Sequence, residues 1–268
     1  MKKTILPFFL FAVQFAFSQT NVYTARDGTN ISVTVNDANP DHCDKMSAFV
    51  GFYGMEGSRF LGLNYYMPKV FYINVQAGQS NYMADADILV INMLKKKEVP
   101  HIARMMQAAG RKKRYIVRIP EDRRFSIGPH IGIGYTDFTT SLNEINGAGN
   151  TPYTTTYAVG GISLLKARHT DFTIDERRRY NLHVVARLNA DIVYYFSRTL
   201  KAKDPADTRT LDEITRQTGF RLYYEGRNTF YSRKGGLGFF YMGGAGLNSY
   251  KGFSYSIFGG LGVFYAFL

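Results

Sequence analysis

The chain has no tryptophan and a single cysteine among its 268 residues. Cys43 therefore has no internal disulfide partner, and the fold must be held by packing and hydrogen bonding alone. Beyond residue 18 no apolar run approaches the roughly 18 uninterrupted residues that a membrane helix needs, which excludes helical spanning. Neither GxSxG nor HExxH occurs, so no familiar hydrolase motif is present. The basic runs Lys95–Lys97 and Arg111–Arg114 are short and isolated, and no nucleic-acid partner is expected. The DHCD stretch, Asp41–Asp44, offers carboxylate, imidazole and thiol, yet adjacent residues on one loop rarely converge into a tetrahedron. No metal and no cofactor are expected.

What is present points to export and to strands. Lys2 and Lys3 precede the apolar run ILPFFLFAVQFAF, followed by the small-residue signature Ala16-Phe17-Ser18. Residues 1–18 read as a secretory signal peptide, with the mature chain beginning at Gln19. Aromatics make up 15% of the residues and Gly contributes 26, a balance that suits strands and tight turns more than helices. The formal charge is +12, and this surplus favours an anionic ligand or lipid phosphates.

The clearest periodicity runs from Arg179 to Ser197, where alternate residues sort into two faces as a strand demands. One face holds Tyr180, Leu182, Val184, Leu188, Ile192 and Phe196, and the other Arg179, His183, Arg187, Asn189 and Asp191. Phe220–Phe230 repeats the pattern, with Arg221, Glu225 and Arg227 on the polar side. Segments 126–135 and 236–247 place glycines opposite apolar residues, and His130 sits among the former. Further strands are expected near 46–55, 59–67, 69–78, 112–119, 153–165 and 253–267, giving about ten in all, with eight or twelve as alternatives. Short connections are expected at MP, PED and SRKG, and long ones over 79–111, 137–152 and 198–218. The 79–111 stretch reads as one or two short helices interrupted at Pro100. Residues 19–45 form an N-terminal segment with a hairpin about Asp27-Gly28.

The last segment, YSIFGGLGVFYAFL, sets Tyr255, Ile257, Leu261, Val263, Tyr265 and Phe267 on one face. It resembles the terminal aromatic strand of outer-membrane β-barrel proteins, in which that strand is implicated in recognition by the barrel-assembly machinery. The resemblance covers about residues 46–268 and departs from the family pattern in two ways: Leu268 follows Phe267, and Trp is missing from the interfacial girdles, leaving Tyr and Phe to serve. It implies an all-β fold, an antiparallel up-and-down transmembrane β-barrel with long outer loops in the outer membrane of a Gram-negative bacterium. It also implies outer-membrane lipid and the assembly machinery as partners, with Tyr265 and Phe267 as the assembly signal. The physics agrees, since hydrocarbon offers backbone N–H and C=O groups no partner and leaves closed sheets as the alternative to helices.

On that expectation the polar faces line a lumen, where Arg179, His183, Arg187, Asp191, Arg221, Glu225, Arg227 and His130 would meet. A small barrel filled by such a network would have a structural or interaction role and no enzymatic activity. Three other readings compete: a small anion-biased pore, a lipid-modifying enzyme, and a secreted soluble β-sandwich binding protein. An enzyme would draw on His130 or His183 as base, with Ser126 and Asp191, but no spacing fixes their geometry.

Overall fold

The computed structural model describes residues 19–42, 46–53, 59–78, 81–106, 112–137, 153–175, 178–200, 217–231, 236–248 and 254–267. Residues 1–18, Cys43 and the connections 54–58, 138–152, 201–216 and 232–235 lie outside the described residues. The described chain is all-β and antiparallel, with one 3-10 turn at Pro40–His42.

The strands are β1 (Gln19–Thr24), β2 (Asn30–Asp37), β3 (Met46–Tyr53), β4 (Arg59–Met67), β5 (Phe71–Gly78), β6 (Asn81–Ile88), β7 (Ile91–Met106), β8 (Lys112–Asp137), β9 (Tyr153–Ile174), β10 (Arg178–Leu200), β11 (Thr218–Tyr231), β12 (Gly236–Asn248) and β13 (Ser254–Phe267). They form one 13-stranded sheet. Hydrogen-bonded neighbours follow one another from β3 through β4, β5, β6, β8, β9, β10, β11 and β12 to β13. β13 then pairs with β3, Phe267 opposite Met46 and Val263 opposite Val50. β1, β2 and β7 stand outside this circuit of pairings.

Along the circuit strands the usual arrangement of side chains is inverted. Asn64, Asn74, Asp85, Asp87, His130, Arg187, Asp191 and Glu225 are buried, while Leu61, Leu63, Ile73, Val75, Ile131, Ile133, Ile162, Ile192, Leu261 and Val263 are exposed. Because successive strand residues point to opposite faces, one register choice sets the whole pattern.

A second body lies beyond the end of the circuit that holds Met46 and Phe267. The β1–β2 hairpin turns at Gly28, whose φ of 80° is a left-handed conformation that glycine adopts without steric cost. Its β2 pairs with the far end of β9, Val33 opposite Ile174, and packs on the β7–β8 hairpin. Ile31, Val33, Val35, Tyr115, Val117, Ile119, Phe172 and Ile174 form a conventional apolar core there. The Tyr23 hydroxyl donates to the Arg118 carbonyl, and Tyr115 Oη donates to Asp27 at 3.1 Å.

β8 belongs to both bodies. Its residues 112–127 pair with β7, and from His130 onward it pairs with β6. The exchange falls at Gly128-Pro129, where a Cβ on Gly128 would sit 1.6 Å from the Ile88 carbonyl oxygen, so only glycine lets the strands approach this closely.

Several expectations need correction. The described part of the 79–111 stretch, residues 81–106, is not helical: it is β6 and β7, and the hairpin of β7 with β8 projects from the end that carries the termini of the circuit rather than from the opposite one. Pro100 is tolerated because β7 is an edge strand, where a missing N–H breaks no ladder. PED is no turn, since β8 runs unbroken from Lys112 to Asp137, and Pro120 precedes Arg123, where β9 joins as second partner. β9 outruns the strand expected over 153–165, reaching Ile174, and β10 begins at Arg178, because both extend into the second body.

Candidate functional site

The buried face of the circuit collects charges from strands that are not neighbours. Arg187, on β10, is 1% exposed, and its guanidinium binds both oxygens of Asp85 on β6, with Nη2 to Oδ2 at 3.2 Å. Asp87 Oδ2 stands 3.9 Å from its Nη1 and Glu225 Oε2 3.6 Å from its Nη2. The same guanidinium lies over the Tyr72 ring at 5.4 Å and the Tyr223 ring at 6.0 Å. One cation thus joins β5, β6, β10 and β11, which is what a planar, five-donor group is suited to do.

A second cluster forms about Asp191. Its Oδ1 is 2.6 Å from His130 Nδ1, and its Oδ2 accepts from Arg221 Nε at 3.1 Å and Nη2 at 2.8 Å. The Asn189 amide nitrogen faces His130 Nε2 at 3.3 Å, and Asp87 Oδ1 stands 3.9 Å from the same nitrogen. Tyr223 ties the clusters together, its ring under Arg221 at 5.5 Å as well as Arg187 and its Oη donating to Glu225 at 2.9 Å, while Glu225 faces Arg227 at 3.6 Å. Asn64, with its carboxamide oxygen toward Arg227, donates to Asn74 Oδ1 at 2.8 Å. Arg227 also covers the Phe240 ring at 5.6 Å.

Apolar layers flank this network along the strands. Toward the circuit's Met46 end lie Tyr66, Tyr72, Leu89, Leu165 and Ala167, and toward the other end Tyr157, Val159, Val193 and Tyr195. Gly134 leaves room for the Tyr157 ring, which a Cβ would meet at 2.3 Å. The low dielectric between these apolar layers strengthens each contact within the network.

Of the eight candidate residues, the structure brings together His130, Arg187, Asp191, Arg221, Glu225 and Arg227. Arg179 and His183 fall elsewhere, correcting the expectation that all eight meet: Arg179 lies on β10 beyond its pairing with β11, and His183 at the last rungs of that pairing, opposite Thr229. Arg179 is exposed and binds Asp171, with Nε to Oδ1 at 2.9 Å. His183 is buried edge-on against His169, their ring centroids 4.1 Å apart, and His169 Nε2 faces Asp37 at 3.6 Å. Sequence reasoning missed Asp85, Asp87, Asn64, Asn74 and Tyr72. The signal for the first pair was present in NYMADADI, where Asn81, Met83, Asp85 and Asp87 alternate with Tyr82, Ala84, Ala86 and Ile88.

Ser126 donates to Asn92 Oδ1 at 2.6 Å, so its hydroxyl is directed to the β7 side and away from the His130–Asp191 pair. Asp41 is clamped by Arg124, at 2.6 and 2.8 Å, and by Lys69 at 3.0 Å. Burial raises the Asp41 carboxyl, but the hydrogen bonds from Arg124 and Lys69 outweigh it and hold the group below its ordinary value. Among the described residues no three His, Cys, Asp or Glu side chains converge as a metal site. Tyr265 is exposed on β13, between Leu237 and Ala48 of the adjoining strands, and Phe267 pairs with Met46. No family model, curated protein or solved structure matches the chain.

Proposed function

We propose that the chain is a small outer-membrane β-barrel of a Gram-negative bacterium, ten strands around, whose lumen is filled by the Arg187 network and whose role is structural or interactive. The observation that carries this reading is the inversion along the circuit strands: Ile192 is 69% exposed while Arg187, on the same strand, is 1% exposed. In water such a surface would be a large apolar liability, whereas in a bilayer it is the surface that lipid requires. The cyclic order of pairings supports closure, since it leaves no edge strand among the ten. The composition of the exposed face agrees: aliphatic Ile131, Ile133, Ile162, Leu188 and Leu261 share it with aromatic Tyr82, Tyr194, Phe196, Tyr224, Phe239, Tyr241 and Tyr265.

The same geometry weighs against an anion-biased pore. Asp85 and Asp87 join Asp191 and Glu225 against Arg187, Arg221 and Arg227, so the enclosed field is not basic, and the ion pairs cross the space that ions would need. The test is to refold residues 19–268 in detergent, compare gel mobility before and after boiling, and record current in a planar bilayer. A heat-dependent shift with no steady conductance is expected. A monomer soluble without detergent would sink the membrane reading, and steady anion-selective current would sink the sealed lumen.

A further inference from the structure

Three successive rows of side chains cross β7, β8 and β9 on one face, where the circuit meets the second body. The first row is Ile91, Ile127 and Leu164, the second Met93, Phe125 and Lys166, and the third Lys95, Arg123 and Arg168, each set directly opposite in register. The first row continues the exposed aliphatic surface of the circuit, since Ile91 and Leu164 are exposed. The second is led by an aromatic ring. The third consists of three cations side by side, an arrangement that like-charge repulsion disfavours unless something anionic sits on it.

Glu121 answers part of that charge, reaching Arg123 at 2.5 Å and Arg168 at 2.9 Å. The Lys95 and Lys166 ammonium groups are instead drawn over Phe125, 5.5 and 5.9 Å from its centroid. Both amines are thereby held beside the ring at the boundary between apolar and polar surface.

We propose that this neck is a binding site for the phosphate of an anionic glycerophospholipid, a proposal that rests on the membrane reading above. Acyl chains would lie along Ile91, Ile127 and Leu164, the glycerol backbone beside Phe125, and the phosphate between Lys95 and Lys166 with Arg123 and Arg168 behind. The continuity of the cation row with the aliphatic row selects a lipid over free phosphate, which would have no use for the apolar half.

The test uses the refolded chain in detergent, titrated with phosphatidylglycerol or phosphatidylcholine, with retained lipid counted by native mass spectrometry. Preferential retention of phosphatidylglycerol is expected, falling about fivefold for each lysine removed in Lys95→Gln and Lys95→Gln/Lys166→Gln. Arg114→Gln, an exposed position near the hairpin tip with the same charge change, should leave retention as in the wild type. Equal retention of the two lipids, or a double variant that behaves as wild type, overturns the proposal. Displacement of the lipid by millimolar inorganic phosphate overturns the lipid assignment. The heat-dependent gel shift, run on every sample, separates the two failures: its absence in the wild type defeats the barrel reading itself. If only the double variant loses the shift, Lys95→Gln at its exposed edge position carries the comparison.

Discussion

Arg187 and Val33 are equally hidden, and so are Ile192 and Ile116 equally bare, at 69% and 75% exposed. Yet the first of each pair belongs to the circuit and the second to the body beyond it, and the two bodies put opposite chemistry inside. In the end body β2, β8 and β9 bury aliphatic and aromatic side chains against one another, as a water-soluble sheet pair does. In the circuit the same alternation, shifted by one residue, buries ions and bares aliphatics. The difference teaches that the face a strand buries, and the chemistry on it, can change within a single strand: β8 and β9 each run through both regimes.

The sharpest way to break that comparison is to remove the central cation. Arg187→Met would leave Asp85, Asp87 and Glu225 facing one another without their shared partner, and a loss of about 3–5 kcal/mol is expected. Urea titration of the heat-shifted form reads it; a loss under 1 kcal/mol would mean the network is not held as described. Next comes a matched pair of exposed isoleucines. Ile192→Arg is expected to cost about 2–4 kcal/mol in a bilayer, as for a cation on a lipid-facing strand. Ile116→Arg, on the β7–β8 hairpin, should stay within about 0.5 kcal/mol. Equal costs for the two would remove the distinction between the bodies. The smallest effect is one of pH. Burial, with the Arg168 guanidinium, pushes the His101 imidazole below its ordinary value of 6.5, and its ring packs edge-on to Phe172 at 4.9 Å. The unfolded chain therefore takes up a proton near pH 6.5 that the folded end body resists. Stability of that body is full above this pH and declines as pH falls below it. Protection factors of the β2 amides, corrected for the intrinsic pH dependence of exchange, should fall between pH 7.5 and 5.5, and His101→Gln should flatten the dependence.

Where one face is charged and the other apolar, the strands were legible in the residues alone. β10 is the clearest case: Asn181, His183, Arg187, Asn189 and Asp191 are buried as their shared face implied, with Leu188, Ile192 and Phe196 exposed opposite. β6 and β7 were not legible for different reasons. β6 is short, and β7 carries charge on both faces, so period two is hidden beneath Lys95–Lys97 and Glu98. Met, Ala and Lys favour helix locally, and only pairing with β8 overrides that preference. The candidate site inherited the error, because Asp85 and Asp87 could not be placed opposite Arg187 while β6 was read as part of a loop. The partition of β10 between two bodies was equally hidden, since alternation continues unchanged through His183 and Arg187 and says nothing of which neighbour each one meets.

The exchange of partners at Gly128-Pro129 bears on the order in which the molecule assembles. Pairing β6 with β8 requires Ile88 and Gly128 to meet across the intervening excursion, and closing an open loop of that length is costly in chain entropy. But the excursion is the β7–β8 hairpin, a structure made of sequence-local contacts, which form early. Once it zips, Val90 N–H already reaches the Ile127 carbonyl at 3.1 Å, and the loop left to close is only the hairpin's neck. The hairpin is then a folding template, delivering β8 to β6 in register before the last strands arrive.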